Sequence, residues 1–114
     1  MGRMYTAVEV SVNNKKKITV GLIDTGADET IVSEKLAVEL SASLYGEYKA
    51  VCASGFKIKG KYSNFSIKEF SSGKTISLKA GVSDVPFDTD DINDEGLNII
   101  LGIDFIQETG LELI

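Results

Sequence analysis

Alternating apolar and polar residues predict three strands in the first third of the chain. In Tyr5–Val12 every second residue towards the end is valine, which is typical of a half-buried strand. Ile18–Ile23 repeats this alternation and predicts a second strand, after a solvated turn over Asn13–Lys17 that contains three consecutive lysines. The β-branched run Thr30–Val32 predicts a third, short strand.

The middle of the chain predicts two hairpins. Tyr48–Ala53 and Phe56–Tyr62 are strand-like and flank a Ser-Gly dipeptide, which is a signal for a hairpin tip. Ser63–Phe70 and Thr75–Val82 flank a Ser-Ser-Gly turn in the same way.

Two short helices are predicted between strands. Ser33 precedes an apolar pattern that reaches Leu40, and its side chain is of the type that caps a helix. Asp104 is expected to cap a second helix through Thr109, with a glutamine three residues after the cap and Gly110 as the stop.

Apolar runs predict two further strands near the end of the chain, a buried one at Leu97–Leu101 and a final one at Leu111–Ile114. Pro86–Gly96 is acidic and predicts a solvated surface loop. This loop begins like a calcium-binding loop, but Gly102 occupies the position that requires a bidentate glutamate. The whole pattern predicts an all-β fold with one or two short helices, in a single domain over residues 1–114.

Composition limits the chemistry that such a domain can perform. The 114 residues include no histidine and one cysteine, Cys52, which excludes Ser-His-Asp and Cys-His catalysis, histidine zinc sites and an internal disulfide. A net charge of −5 argues against a nucleic-acid partner. With no visible signal peptide and no apolar run of roughly 18–20 residues, we expect a cytoplasmic protein with no membrane partner.

One carboxylate interrupts the apolar pattern at a position that needs a reason. Asp24 directly follows an apolar strand, and an unpaired carboxylate in apolar surroundings is costly. Gly26 allows a backbone or a ligand to approach closely. Ordinary turn chemistry would also explain an aspartate and a glycine here. A second segment, Asn-Ile-Ile-Leu-Gly-Ile-Asp-Phe at 98–105, is on its own an apolar strand that ends at a glycine and leads into a helix.

Together, Asp-Thr-Gly-Ala-Asp at 24–28 and Ile-Leu-Gly-Ile-Asp-Phe at 100–105 resemble retropepsins, the homodimeric aspartic proteases of retroviruses and retrotransposons and their bacterial and eukaryotic relatives. The Ile-Leu-Gly-x-Asp-Phe form and the helix after Ser33 are more similar to the non-viral members. The resemblance implies a closed β-barrel-like subunit equivalent to half of a pepsin. It also implies a homodimer, because each chain contributes one Asp-Thr-Gly.

The resemblance also implies a role for particular residues. Asp24 is the expected catalytic residue, and two such carboxylates about 4 Å apart repel by roughly 4 kcal/mol at an effective dielectric of 20, so the pair would share one proton. Thr25 and Gly26 would support the pair, and no metal or cofactor is required. An extended peptide or protein substrate would bind as an added strand. The positions that match substrate-binding ones are Ala27, Asp28, Glu29, Ala53, Ser54, Gly55 (the last three at the tip of a flap hairpin) and Ile100.

The sequence departs from many members of that family at two positions. Ala27 replaces a serine whose hydroxyl could bond the catalytic carboxylate, which predicts a less acidic pH optimum than in serine-bearing members. Ile103 stands where some viral members have an arginine that pairs with the carboxylate at position 28. Asp28 therefore needs another partner or stays solvated.

Two other functions stay open at the level of sequence. A dimeric module of the same fold could bind or assemble without turnover, because an intact Asp-Thr-Gly is necessary and not sufficient. A different carboxylate hydrolase, such as a glycosidase, needs two carboxylates in one site, and Asp28 or Glu29 could supply the second. Such an enzyme would be active as a monomer.

Overall fold

A computed structural model of the chain describes residues 4–51, 57–84 and 97–110. Strands dominate these ranges, and each of the two helices is short. The strands are β1 (Met4–Val12), β2 (Lys15–Ile23), β3 (Ile31–Ser33), β4 (Tyr45–Val51), β5 (Lys57–Glu69), β6 (Lys74–Ser83) and β7 (Ile99–Leu101), and the helices are α1 (Glu34–Glu39) and α2 (Ile103–Thr109).

Six of these strands close into a barrel. Their order is β1-β2-β7-β3-β6-β5, and β5 pairs again with β1 to complete the ring. Strand β4 pairs with β5 outside the ring. Most neighbours are antiparallel, whereas β7 runs parallel to β2 and β3 runs parallel to β6. The prediction of an all-β, barrel-like fold with two short helices is confirmed.

The main hydrophobic core fills this barrel. Val8 and Val10 are fully buried, because alternate residues of β1 point inwards. Leu36 of α1 and Phe105 of α2 add buried side chains to the same cluster. Each fully buried side chain of this size contributes about 1.5–3 kcal/mol. A smaller cluster of Ile31, Tyr48 and Ile58 lies apart from it.

The predicted turn over Asn13–Lys17 is wrong in its extent, because the three lysines belong to a strand. Lys15–Lys17 begin β2 and pair with the end of β1. Asn13 has a φ of 53°, a left-handed conformation that asparagine tolerates, so the chain reverses within two residues. Lys15 Nζ donates to Ser41 Oγ at 2.7 Å, and Lys17 forms an ion pair with Glu39 of α1.

The predicted break between Phe56–Tyr62 and Ser63–Phe70 is also wrong. Strand β5 runs without interruption for 13 residues. It changes partner along its length, from β4 at its start to β1 at its end, while β6 pairs with it from Gly60 onwards. Gly60 fits this crowded stretch because a Cβ there would lie 1.7 Å from Val82 O.

The two helices differ in how they begin. Ser33 Oγ accepts a hydrogen bond from Leu36 N at 3.1 Å, so the predicted cap of α1 is confirmed. The predicted cap of α2 by Asp104 is wrong. Gly102 is the N-cap residue and forms no side-chain cap, and Asp104 lies in the first turn. Gly110 ends α2 as predicted, with a φ of 71°.

Three predicted features lie outside the described residues. They are the flap tip at Ala53, Ser54 and Gly55, the acidic loop Pro86–Gly96 and the final strand Leu111–Ile114. Among the residues that are described, no helix has the length and apolar character needed to cross a membrane.

Candidate active site

The segment between β2 and β3, residues 24–30, is called the Asp24 loop from here on. Gly26 N donates to Asp24 Oδ1 at 2.9 Å, and Ala27 N donates to Asp24 O at 3.2 Å. Together these two bonds turn the chain back immediately after β2, and the bond from Gly26 N holds the Asp24 carboxylate over its own loop. The Asp24 side chain is half-buried, while Thr25 and Gly26 are exposed.

The second sequence segment lies directly beside this loop. Because β7 pairs with both β2 and β3, it occupies the space between the two ends of the Asp24 loop. Asp24 N donates to Leu101 O at 3.0 Å, and Ile103 N donates to Ala27 O at 2.7 Å. The two segments that carry the sequence signal, about seventy-five residues apart in the chain, are therefore joined by backbone hydrogen bonds.

Gly102 allows this close approach. A Cβ at this position would lie 2.6 Å from the carbonyl carbon of Glu29 and 2.8 Å from Ala27 O. Both obstructing atoms are backbone atoms, so no side-chain rotation could relieve the clash. Any larger residue at 102 would displace the Asp24 loop.

Thr30 and Asp104 join the far end of the loop to α2, and sequence reasoning missed this pair. Thr30 N donates to Asp104 Oδ2 at 3.1 Å, and Thr30 Oγ1 donates to Asp104 Oδ1 at 2.8 Å. Gly102 N in turn donates to Thr30 Oγ1 at 3.2 Å. The only sequence signal was an aspartate two residues after a glycine, and we interpreted it as a helix cap.

A cleft of about 320 Å³ opens beside the Asp24 loop. The loop contributes the carboxylates of Asp24, Asp28 and Glu29, and β4 contributes Lys49, the one cation among the described lining residues. The remaining walls are mostly apolar. The side chains that form them are Ile31, Tyr48, Ala50, Ile58 and Ile100.

The described part of the chain offers carboxylates for chemistry and no metal site. No group of three or more His, Cys, Asp or Glu side chains in the described ranges lies close enough to hold a metal ion. A half-exposed carboxylate held at the edge of an apolar cleft can exchange a proton with water or with a bound molecule. Acid–base chemistry is therefore within the reach of Asp24.

The aspartyl protease family model matches residues 8–105, which include the Asp24 loop, the cleft and the start of α2. The chain belongs to the aspartyl protease family. No curated protein matches the chain in sequence.

Solved structures of retropepsin-like aspartic proteases share this fold. The EIAV protease complexed with the inhibitor HBY-793 is 23% identical with a TM-score of 0.67, and the match covers 99% of this chain and 93% of that protease. A retropepsin-like aspartic protease from Rickettsia conorii is 19% identical with a TM-score of 0.53, and the match covers 93% of this chain and 79% of that protease. A Legionella pneumophila protein of unknown function is 12% identical with a TM-score of 0.53, and the match covers 92% of this chain and 86% of that protein. The retropepsin-like fold is thus confirmed, while a closer kinship with non-viral members stays a prediction.

Most residues predicted for the site of this aspartyl protease family member come together in one place. The cleft-lining ones are Asp24, Gly26, Ala27, Asp28, Glu29 and Ile100. Thr25 lies between two of them in the chain and is exposed. Their roles in catalysis and substrate binding stay predictions.

Asp28 differs from the carboxylate at this position in the arginine-bearing viral members. It is exposed, and no residue in the described ranges forms an ion pair or a hydrogen bond with its side chain. Ile103, where those members have the arginine, donates its backbone N–H to Ala27 O and has no charge to offer. The solvated alternative predicted for Asp28 is the one that its exposure supports.

Proposed function

We propose that this chain is an aspartic endopeptidase that acts as a homodimer, in which two Asp24 carboxylates activate one water molecule. The observation that carries the proposal is the position of Asp24. Its carboxylate is held by Gly26 N at the edge of a cleft with mostly apolar walls, in a chain of the aspartyl protease family. Membership of the family makes peptide-bond hydrolysis the reaction to expect there.

A second subunit supplies the second aspartate. Each chain has one Asp-Thr-Gly, and the exposed Thr25 and Gly26 beside Asp24 leave this side of the loop open to a partner. When two such carboxylates meet across a two-fold axis, like charges at close range cannot both persist, so the pair holds one proton. Thr25 of each subunit would then bond across the axis beneath the pair.

Because the two carboxylates share one proton, one acts as a base and the other as an acid. The ionised Asp24 takes a proton from a water molecule as that water attacks the scissile carbonyl carbon. The protonated Asp24 donates a hydrogen bond to the carbonyl oxygen and transfers its proton as the tetrahedral intermediate forms. When that intermediate collapses, the carboxyl that took the water's proton gives it to the departing nitrogen as the C–N bond breaks. The other carboxylate takes a proton from a hydroxyl of the intermediate as the carbonyl re-forms. No covalent bond to the enzyme forms at any step.

The cleft suits an extended peptide. Among the described strands, β4 lies at the end of the sheet and pairs only with β5, so a peptide can add to its other edge by main-chain hydrogen bonds. The apolar walls formed by residues such as Ile31, Ile58 and Ile100 favour apolar side chains near the scissile bond. Asp28 and Glu29 lie in the same cleft, where they can accept hydrogen bonds from the peptide backbone.

Digestion of a peptide library at pH 3–7 tests this function. The wild type is expected to cleave and Asp24→Asn to lose all activity, because a neutral amide cannot act as the general base. The matched control Glu108→Gln removes an exposed carboxylate of α2 outside the cleft and should cleave like the wild type. Equal cleavage by wild type and Asp24→Asn would contradict the proposal. Peptide binding by both without turnover would instead support the alternative of a catalytically silent dimeric binding module.

A further inference from the structure

Thr30 has a hydrogen-bond partner for every polar group it carries. Its side chain is fully buried, so each group without a partner would be costly. The amide and the hydroxyl both donate to the Asp104 carboxylate, the hydroxyl oxygen accepts from Gly102 N, and the carbonyl accepts from Gly81 N at 3.1 Å. Because Gly102 N already donates to the hydroxyl oxygen, the hydroxyl proton is directed at Asp104.

The Asp104 carboxylate thus acts purely as an acceptor. Oδ2 accepts a hydrogen bond from Thr30 N, and Oδ1 accepts one from Thr30 Oγ1. Phe105 N lies 2.7 Å from Oδ1. A side chain of the same shape with one donor group would place an N–H against another N–H or O–H. The network therefore requires a carboxylate at 104, not merely a polar residue of that size.

This network fixes one end of the Asp24 loop. The other end is held where Asp24 N donates to Leu101 O, and the middle is held where Ile103 N donates to Ala27 O. All three attachments reach the segment 101–104, so they determine together how the loop lies against it. A loss at Thr30 would loosen the loop from its β3 end, beginning with Asp28 and Glu29 and reaching Gly26 and Ala27 beyond them.

We infer that Asp104 is a positioning residue of the active site, which holds the Asp24 loop in its reactive geometry through two hydrogen bonds from Thr30. The inference rests on the proposed function for its catalytic consequence. Misplacing a reacting group by about 1 Å can reduce a rate about 100-fold, so a hydrogen-bond pair behind the loop is enough to control the rate. Asp104 itself is not among the residues that line the cleft.

Two isosteric variants test the network kinetically. Asp104→Asn replaces one acceptor by a donor, and Thr30→Val removes the hydroxyl while it keeps the shape. Each is expected to lower kcat at least 10-fold while KM changes less than about 3-fold. Thr30→Ser restores the hydroxyl and should recover most of the kcat that Thr30→Val loses. Because both variants break the same contact, the double variant should lose much less than the product of the two effects.

Glu108→Gln is the matched control, since it lies on the same helix, is exposed and should keep the wild-type kcat. Multiplicative losses in the double variant, or a wild-type kcat for Asp104→Asn, would overturn the inference.

Amide hydrogen exchange tests the same network without any turnover. In Asp104→Asn the amides of Gly26 and Ala27 should exchange at least 10-fold faster, because both donate within the Asp24 loop. Exchange in the β5–β6 ladder should stay unchanged. Unchanged exchange at Gly26 and Ala27, or faster exchange throughout the barrel, would reduce Asp104 to an ordinary structural residue. If the wild type cleaves no peptide but the loop amides respond as expected, the positioning role stands and the proposed function falls.

Discussion

Glu69 is a carboxylate with no exposed surface, and its oxygens are surrounded by donors. It accepts hydrogen bonds from Ser71 N, Ser71 Oγ and Ser72 N at 2.9, 2.6 and 2.7 Å, and also from the hydroxyl of Thr6. Burial alone would raise the pKa of Glu69, but the hydrogen bonds from Ser71, Thr6 and Ser72 outweigh it and lower the pKa to about 2. The carboxylate ties the β5–β6 turn to β1.

Stability should therefore depend on the ionisation of Glu69. A pKa lowered in the folded state gives a contribution that is complete above about pH 4.5 and is lost as the pH falls through about 2. We expect Glu69→Gln to lower the free energy of unfolding by on the order of 2 kcal/mol at pH 7, because its amide would face donors. Urea unfolding at pH 7, 4.5 and 2.5 measures this. The difference from wild type should shrink at the lowest pH, and a difference that is independent of pH would contradict the assignment.

At the level of single residues, the sequence predicted the residues of the Asp24 loop that line the cleft. It missed Thr30 and Asp104, which join the end of that loop to α2. Asp24 and its neighbours are contiguous in the chain, and a local motif is enough to find them. Thr30 and Asp104 are 74 residues apart. An aspartate just after a glycine and before an apolar helix has the same local appearance whether it caps that helix or reaches a distant loop.

Among the secondary-structure elements, α1 depends on one buried serine. Ser33 Oγ accepts from Leu36 N and lies 2.9 Å from Asn98 Oδ1, to which it donates. It therefore caps the helix and also joins β3 to the residue just before β7. This double role follows from the barrel, since α1 begins at the end of a strand in the closed ring.

We expect Ser33→Ala to lower the free energy of unfolding by about 1–2 kcal/mol, because the cap and the bond to Asn98 are both lost. Chemical unfolding measures the loss. Ser43→Ala is the matched control, because Ser43 is exposed and only its backbone carbonyl takes part in a described hydrogen bond. Equal stabilities of the two variants would show that the cap contributes nothing.

The elements themselves were predicted well wherever periodicity decides them. Strands β1 and β6 and helix α1 follow the alternation and the cap to within one or two residues. The errors lie at the ends of strands. Three lysines did not prevent Lys15–Lys17 from pairing, and the two strands predicted at Phe56–Tyr62 and Ser63–Phe70 are one continuous strand that changes its partner.

For the whole molecule, the proposed dimer makes a sharp prediction about mixed subunits. If wild type and Asp24→Asn are mixed in equal amounts and exchange freely, wild-type homodimers fall to about one quarter of all dimers. Activity at a fixed wild-type concentration should then fall to about half. Peptide cleavage, with sedimentation of the same mixtures, measures this. Activity that does not respond to the inactive chain would mean that one subunit works alone, as the glycosidase alternative requires.

The closure of the barrel lay beyond sequence reasoning. Alternation predicts that a segment is a strand, but it does not say which strands pair. The parallel pairing of β2 with β7, and of β3 with β6, depends on distant parts of the chain that have no local signal for each other. The resemblance of two short motifs to a known family supplied the architecture, and the family match and the solved structures bear it out. That residues 1–114 form a single domain stays a prediction.

The place of β7 between β2 and β3 also orders events during synthesis. A ribosome makes both of those early strands, and the aspartate between them, long before it makes the strand that separates them. Until residues 99–104 emerge, the loop lacks the segment that it packs against, and the ring of strands is open between β2 and β3. The Asp24 loop thus cannot take up the geometry described above before nearly all of the described chain has been translated.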